Sequence, residues 1–195
     1  MFTEWLRKVT RGITVPVTSF LSRIGVSANT VTLLGCILTV VVAVLISMGH
    51  LRLGGICLIV AAGLDGLDGS LARQTGGATK FGAFLDSVLD RVSESAVLLG
   101  LGWWYMTQPG LTEEILAYVA IFGSLMVSYA RARAEAIGVE CKVGLFTRVE
   151  RSLVLIAALI LGLAPIGLWL LAIGTVLTAL HRVIHVYLQT RDAPL

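Results

Sequence analysis

Charge is what this sequence has least of. Asp, Glu, Lys and Arg make up 14% of its 195 residues, against 56% hydrophobic, where a water-soluble domain carries about 25% charged residues. That shortfall excludes an ordinary soluble domain, and its spread along the chain excludes a soluble domain on a single anchor. Cysteine is scarce too. Cys36 and Cys57 lie inside apolar runs and Cys141 in a short basic loop; no metal-type spacing occurs, so all three are read as free thiols. The first apolar run follows 28 residues without a cleavage-site pattern, and no signal peptide is expected. The runs also lack the alternating polarity of barrel strands, which argues for helices.

What is present is a series of six apolar segments, at about 29–48, 53–73, 81–106, 113–137, 150–164 and 166–187. Crossing ~30 Å of hydrocarbon takes about 20 helical residues, and the fifth segment is short for that. Inside a bilayer every backbone group needs an internal partner, which helices supply. The expected fold is therefore all-α: one integral-membrane domain over 1–195, a bundle of six transmembrane helices with no room for a second domain. Residues 1–14 place Phe2, Trp5, Leu6, Val9 and Ile13 at helical spacing, with Arg7, Lys8 and Arg11 between them. That pattern predicts an amphipathic helix lying in the membrane interface. Of the 15 Lys and Arg, only Arg52 falls in the connections between spans one and two, three and four, or five and six. The positive-inside rule then puts both termini and the 73–80 turn in the cytoplasm. Trp103, Trp104 and Tyr105 form an aromatic belt at the opposite boundary.

Against this background, Asp65 to Asp90 places four carboxylates in 26 residues. A carboxylate in a bilayer-facing helix costs from about 2.5 kcal/mol upward, so something must offset them. Asp65 and Asp68 are three residues apart, Asp86 and Asp90 four, so each pair faces one side of its helix. At 1.5 Å per residue Asp65 lies ~12 Å from Arg73 and Asp90 ~12 Å from Gly82, and a short turn joining the two helices brings all four acids to similar depth. Like charges so close need protons or cations. All-oxygen ligands without His or Cys suit Mg²⁺, Mn²⁺ or Ca²⁺, and two hard cations on four carboxylates form a clamp for phosphate oxygens. Gly69, Ala72 and Gly82 on the same faces permit close helix packing and equally leave room for a ligand. Arg73 has the reach to hold a phosphate bidentately. Ser27 to Thr32 opens the first span with capping residues, and Asn29 and Thr32, three apart, also address a polar ligand.

The series Asp65-x2-Asp68-Gly69-x2-Ala72-Arg73-x8-Gly82-x3-Asp86-x3-Asp90 resembles, at every fixed position, the signature of the CDP-alcohol phosphotransferases, and the six-span organisation extends the resemblance over essentially the whole chain. The resemblance implies that Asp65, Asp68, Asp86 and Asp90 hold two metal ions, Mg²⁺ or Mn²⁺. It implies that Asp90 is the general base for the acceptor, and that Asn29, Thr30, Val31, Thr32, Gly69, Arg73 and Thr79 hold the CDP-lipid. Family members often have Pro before that Asn; Ala28 stands here, which leaves the chemistry untouched. The implied reaction is attack of an alcohol on the lipid-side phosphorus with release of CMP, in the plasma membrane of a prokaryote, by a homodimer and without a nucleic-acid partner. For dimerisation the residues themselves offer only Gly123, Ser124 and Ser128 on the fourth span.

A second basic cluster bears on the acceptor: Arg131, Arg133, Arg148, Arg151 and Arg182. Arginines at span ends serve as positive-inside anchors, whereas several guanidiniums lining one pocket suit an acceptor with its own phosphate. The Arg-Ala-Glu segment after span four, the Arg-x-x-Arg segment opening span five, the Arg in span six and Asp90-Arg91 resemble the branch that makes phosphatidylinositol phosphate or its archaeal archaetidyl counterpart from inositol phosphate. Val149 stands where that branch often has Pro. Glycerol 3-phosphate, and so phosphatidylglycerophosphate, is the rival acceptor chemistry; Asp86-Ser87 and Asp90-Arg91 favour inositol phosphate. A divalent-cation transporter is the reading from another class, disfavoured because the acids cluster towards one surface instead of lining a path across the membrane. Glu94 either orders water or pairs with an arginine; no role is assigned to it.

Overall fold

The computed structural model describes residues 16–75 and 77–191, and every element in them is helical. After α1 (16–23) come α2 Ala28–Ser47, α3 Leu51–Thr75, α4 Lys80–Met106, α5 Thr112–Ala136, α6 Arg148–Leu161 and α7 Ala164–Thr190. The six apolar segments of the sequence thus become α2 to α7, their ends shifted by at most three residues. The interfacial helix expected over 1–14 lies outside the described residues.

Among the described residues, four helices are long and apolar enough to cross a membrane: α2, α3 over Leu51–Gln74, α5 and α7. The other two differ for identifiable reasons. Helix α4 has 27 residues, but its first half carries Lys80, Asp86, Asp90, Arg91 and Glu94. Helix α6 has 14, ~21 Å at 1.5 Å per residue, short of the ~30 Å hydrocarbon core. Large apolar side chains such as Leu34, Ile59, Phe122 and Leu170 point outward on the long helices. Water would penalise such a surface and lipid does not; the protein is an integral membrane protein.

The chain forms two compact units. The first comprises residues up to 41 with 57–93. The start of α2 is capped as the sequence suggests, the Thr30 N–H donating to Ser27 Oγ at 3.2 Å, and Thr79 does the same for α4, its Oγ1 accepting from the Gly82 N–H at 2.9 Å. Val31, Leu71 and Thr18 are buried within it, and Gln74 Nε2 donates to Ser19 Oγ at 2.8 Å, tying the end of α3 to α1.

The second unit comprises 42–56 and 94 onward. Ile46, Leu98, Leu101, Leu159 and Leu168 are fully buried in it, and α7 packs against both α5 and α6. Close approach rests on missing side chains. A Cβ on Gly100 would strike the Ala43 carbonyl, and one on Gly123 would strike Thr175, the small-residue device by which membrane helices gain van der Waals contact. Helix α6 ends at Gly162, whose φ of 72° is the left-handed cap that a side chain would strain.

Candidate active site

In the first unit α3 and α4 bring carboxylates together. Asp65 and Asp68, one turn apart on α3, and Asp86 on α4 each offer an oxygen, all within 4.8 Å of one another. Asp68 is buried, and its oxygens are both engaged: Thr32 Oγ1 donates to Oδ2 at 2.6 Å and the Gly69 N–H to Oδ1 at 2.5 Å. Such donors fix the orientation of a prospective metal ligand, as outer-shell partners do in metal sites generally. Three carboxylates without His or Cys among them form a hard-oxygen donor set that fits a divalent cation of the Mg²⁺ or Mn²⁺ type.

Asp90 is not part of that cluster. It lies one turn beyond Asp86, 7% exposed, with Oδ2 3.3 Å from Arg91 Nη1. Arg91 also donates to the Ser87 carbonyl at 2.9 Å. Of the four acids expected together, three stand within 4.8 Å of one another, and the fourth lies one turn further along α4, beside the guanidinium of its neighbour Arg91.

Beside the cluster is a cleft of about 240 Å³, into which Asp68 and Asp86 open. Asn29, Thr32, Gly69, Arg73 and Thr79 line it, five of the seven residues expected at the nucleotide. Thr30 and Val31 do not. Thr30 Oγ1 is 2.9 Å from Ser27 Oγ at the cap of α2, and Val31 is buried in the core. At about 100° per residue, positions 29 and 32 share a face that 30 and 31 leave. The glycines keep the cleft open: a Cβ on Gly82 would lie 2.9 Å from Asn29 Oδ1, and one on Gly69 3.4 Å from Arg73 Nη1. Arg73, exposed, has Nη2 donating to Ser70 Oγ at 3.2 Å, which leaves further N–H groups for an anion. Gly77, Ala78 and Ala83 also line the cleft; their small size was the only signal they carried.

The second unit holds the arginines. Arg151 is buried, with Nε 2.5 Å from Glu94 Oε1 and Nη2 2.7 Å from Oε2, while Nη1 donates to the Phe146 carbonyl at 2.9 Å. Arg182, also buried, donates through Nε to the Val143 carbonyl at 2.9 Å and through Nη1 to the Val127 carbonyl at 2.5 Å. Arg131 Nε pairs with Glu135 Oε1 at 2.8 Å on the surface. Arg133 and Arg182 line a cavity of about 280 Å³ with Tyr129 and Ile137. Arg131 and Arg151 are close enough to add to the positive field at Arg182. Arg148 starts α6. The five therefore differ in kind: two are buried, Arg151 committing three of its five N–H groups to the protein and Arg182 two. Glu94, unassigned in the sequence, is the carboxylate partner of Arg151.

Helices with a lipid-facing exterior, a hard-oxygen cluster and an adjoining phosphate-sized cleft define a membrane transferase acting on phosphate esters. The CDP-alcohol phosphatidyltransferase family model matches residues 25–180, and the chain belongs to that family. It is 38% identical over 179 residues to the phosphatidylinositol phosphate synthase of Mycobacteroides abscessus, covering 87% of this chain and 81% of the relative. To the archaetidylinositol phosphate synthase of Pyrococcus horikoshii it is 37% identical over 164 residues, 84% and 85% of the two chains. Among solved structures, Mycobacterium tuberculosis phosphatidylinositol phosphate synthase with CDP-DAG bound superimposes with a TM-score of 0.85 at 34% identity, over 90% of this chain and 94% of that one. The same enzyme in complex with manganese and citrate gives 0.85 over 89% and 88%, at 34% identity.

Proposed function

We propose that this transferase moves the phosphatidyl group of CDP-diacylglycerol to a hydroxyl of inositol phosphate, releasing CMP and forming phosphatidylinositol phosphate. The observation that carries the reading is the cluster of Asp65, Asp68 and Asp86 opening into the cleft lined by Asn29 and Arg73. Arg73, Asn29, Thr32, Gly69 and Thr79 hold the nucleotide diphosphate; Gly69 and Gly82 let it approach the backbone, and Arg73 neutralises the departing phosphate. Asp65, Asp68 and Asp86, with Asp90, hold the metal, two Mg²⁺ or Mn²⁺ ions, which when bound offset negative charge on the phosphate oxygens. Asp90 takes the acceptor proton, with Arg91 Nη1 3.3 Å from its Oδ2. Arg131, Arg133 and Arg148 bind the acceptor's phosphate, with Arg151 and Arg182 supporting them. The names of the synthase relatives and the CDP-DAG bound in the mycobacterial structure support this choice of substrates.

The same reading has all six helices α2 to α7 embedded, α6 as a short span, residues 1–14 on the interface, and both termini and the site on the cytoplasmic side of a prokaryotic plasma membrane. It has the enzyme working as a homodimer. Support for the orientation is the positive-inside distribution of Lys and Arg. The decisive assay is CMP release by purified enzyme from CDP-diacylglycerol with Mg²⁺ or Mn²⁺. Turnover with inositol phosphate is the expected result; turnover with glycerol 3-phosphate and none with inositol phosphate overturns the acceptor. The Pyrococcus relative favours a second reading for the lipid alone, in which CDP-archaeol is the donor, and a CDP-archaeol arm of that assay decides it.

A further inference from the structure

Between α5 and α6 runs a strap, 143–147, fastened from several sides. The Phe146 N–H donates to Thr178 Oγ1 at 3.2 Å, and Arg182 Nε holds the Val143 carbonyl. A Cβ on Gly144 would strike the Thr178 methyl, and one on Gly174 would lie 2.7 Å from the Phe146 ring, so the strap lies directly on α7. Its exit is held by Arg151, whose Nη1 donates to the Phe146 carbonyl while Nε and Nη2 grip both oxygens of Glu94. Three of the five N–H groups of Arg151 are thereby committed. The strap then delivers Thr147, which caps α6 and donates to Glu150, and Arg148, the first residue of α6.

From this geometry we infer that Glu94 is a positioning residue for the acceptor, acting through Arg151 to hold the strap and the start of α6, and with them Arg148. A two-point grip on a guanidinium that is 3% exposed leaves one orientation for its plane. Removing the carboxylate strands a buried charge, and the strap loses its exit anchor while Thr178 and Arg182 still hold its other end. The inference rests on the proposed phosphorylated acceptor.

The test uses full-length enzyme in detergent or nanodiscs, comparing wild type with Glu94→Gln and the charge-retaining Glu94→Asp. Two readouts are taken: steady-state kinetics for each substrate and the rate of tryptic cleavage after Arg148, at the exit of the strap. Loss of a charged hydrogen bond predicts an acceptor KM raised about tenfold or more in Glu94→Gln, with CDP-lipid KM within about twofold of wild type. Cleavage after Arg148 accelerates in parallel, and Glu94→Asp recovers part of both effects. Should Glu94→Gln fail to fold, Glu94→Asp is read for the same split at smaller size. An unchanged acceptor KM, equal rises in both KM values, or unchanged cleavage overturns the inference. Wild type silent with inositol phosphate overturns the acceptor reading instead, and the cleavage rates still decide whether Glu94 holds the strap.

Discussion

The two units treat concentrated charge in opposite ways. In the first, three carboxylates stand within 4.8 Å of one another, and the donors that reach Asp68 are a hydroxyl and a backbone N–H. Like charges held this close favour a cation among them. In the second, the buried guanidinium of Arg151 is met by both oxygens of Glu94 and by a backbone carbonyl, so its charge is answered within the protein, and Arg182 donates to two further backbone carbonyls. Like charges gathered into one cluster suit a ligand of the opposite sign. A charge already balanced holds structure in place, and reaches function by setting where its neighbours stand.

Substitutions probe that contrast, and the largest effect belongs to the first unit. Asp86→Asn removes a ligand from the three-acid cluster; the expected result is loss of CMP release by on the order of a thousandfold, comparable to removal of a transition-state electrostatic group. Manganese binding, followed by electron paramagnetic resonance, should vanish while the thermal melt stays near that of wild type. A melt that collapses would show these acids to be structural instead.

Arg182→Met should do the reverse. It strands the Val127 and Val143 carbonyls, each costing about 1–3 kcal/mol when buried without a donor. A lowered melting temperature is expected, with CDP-lipid KM close to wild type. Unchanged stability, with a raised acceptor KM alone, would make Arg182 a ligand and erase the contrast.

Thr32→Val sharpens it from the other side. The methyl keeps the volume but takes away the 2.6 Å donor to Asp68, and loss of such an outer-shell partner lowers metal affinity about 10–100-fold. Titration of activity with Mn²⁺ reads this directly; an unshifted titration would mean that Asp68 is oriented by other groups. Arg131→Gln should be the mildest in stability. Its pair with Glu135 is exposed and four residues apart, worth about 0.3–0.5 kcal/mol. A melt shifted by several degrees would place Arg131 with the buried struts.

Much of this was legible in the residues. The ends of α2 to α7 follow from apolar length and capping. Ser27, Thr79 and Gly162 punctuate them because orphan N–H groups and left-handed caps have strong residue preferences. The facing of Asp65 with Asp68, and of Asn29 with Thr32, follows from 3.6 residues per turn, and the shortness of α6 from counting. The Asp65-to-Asp90 series carried the family likeness by itself, since helix periodicity and the chemistry of hard cations both constrain it locally.

Other assignments turn on how one helix is rotated against another, which no spacing within a helix encodes. Asp86 joins the α3 acids while Asp90, on the same helix, lies beside Arg91. Thr32 becomes the support of Asp68, 36 residues away, and Val31 turns to the core although its neighbours line the cleft. The partner of Glu94 lies 57 residues off in Arg151. Arg182 is expected from the sequence at the acceptor's phosphate, and the fold also brings two backbone carbonyls to it. The residue types and their periodicity determined which chemistry is available and on which face of each helix. Tertiary packing decided which charges gather into one cluster and which are buried against a partner, because burial and hydrogen-bond geometry exist only once the helices have come together.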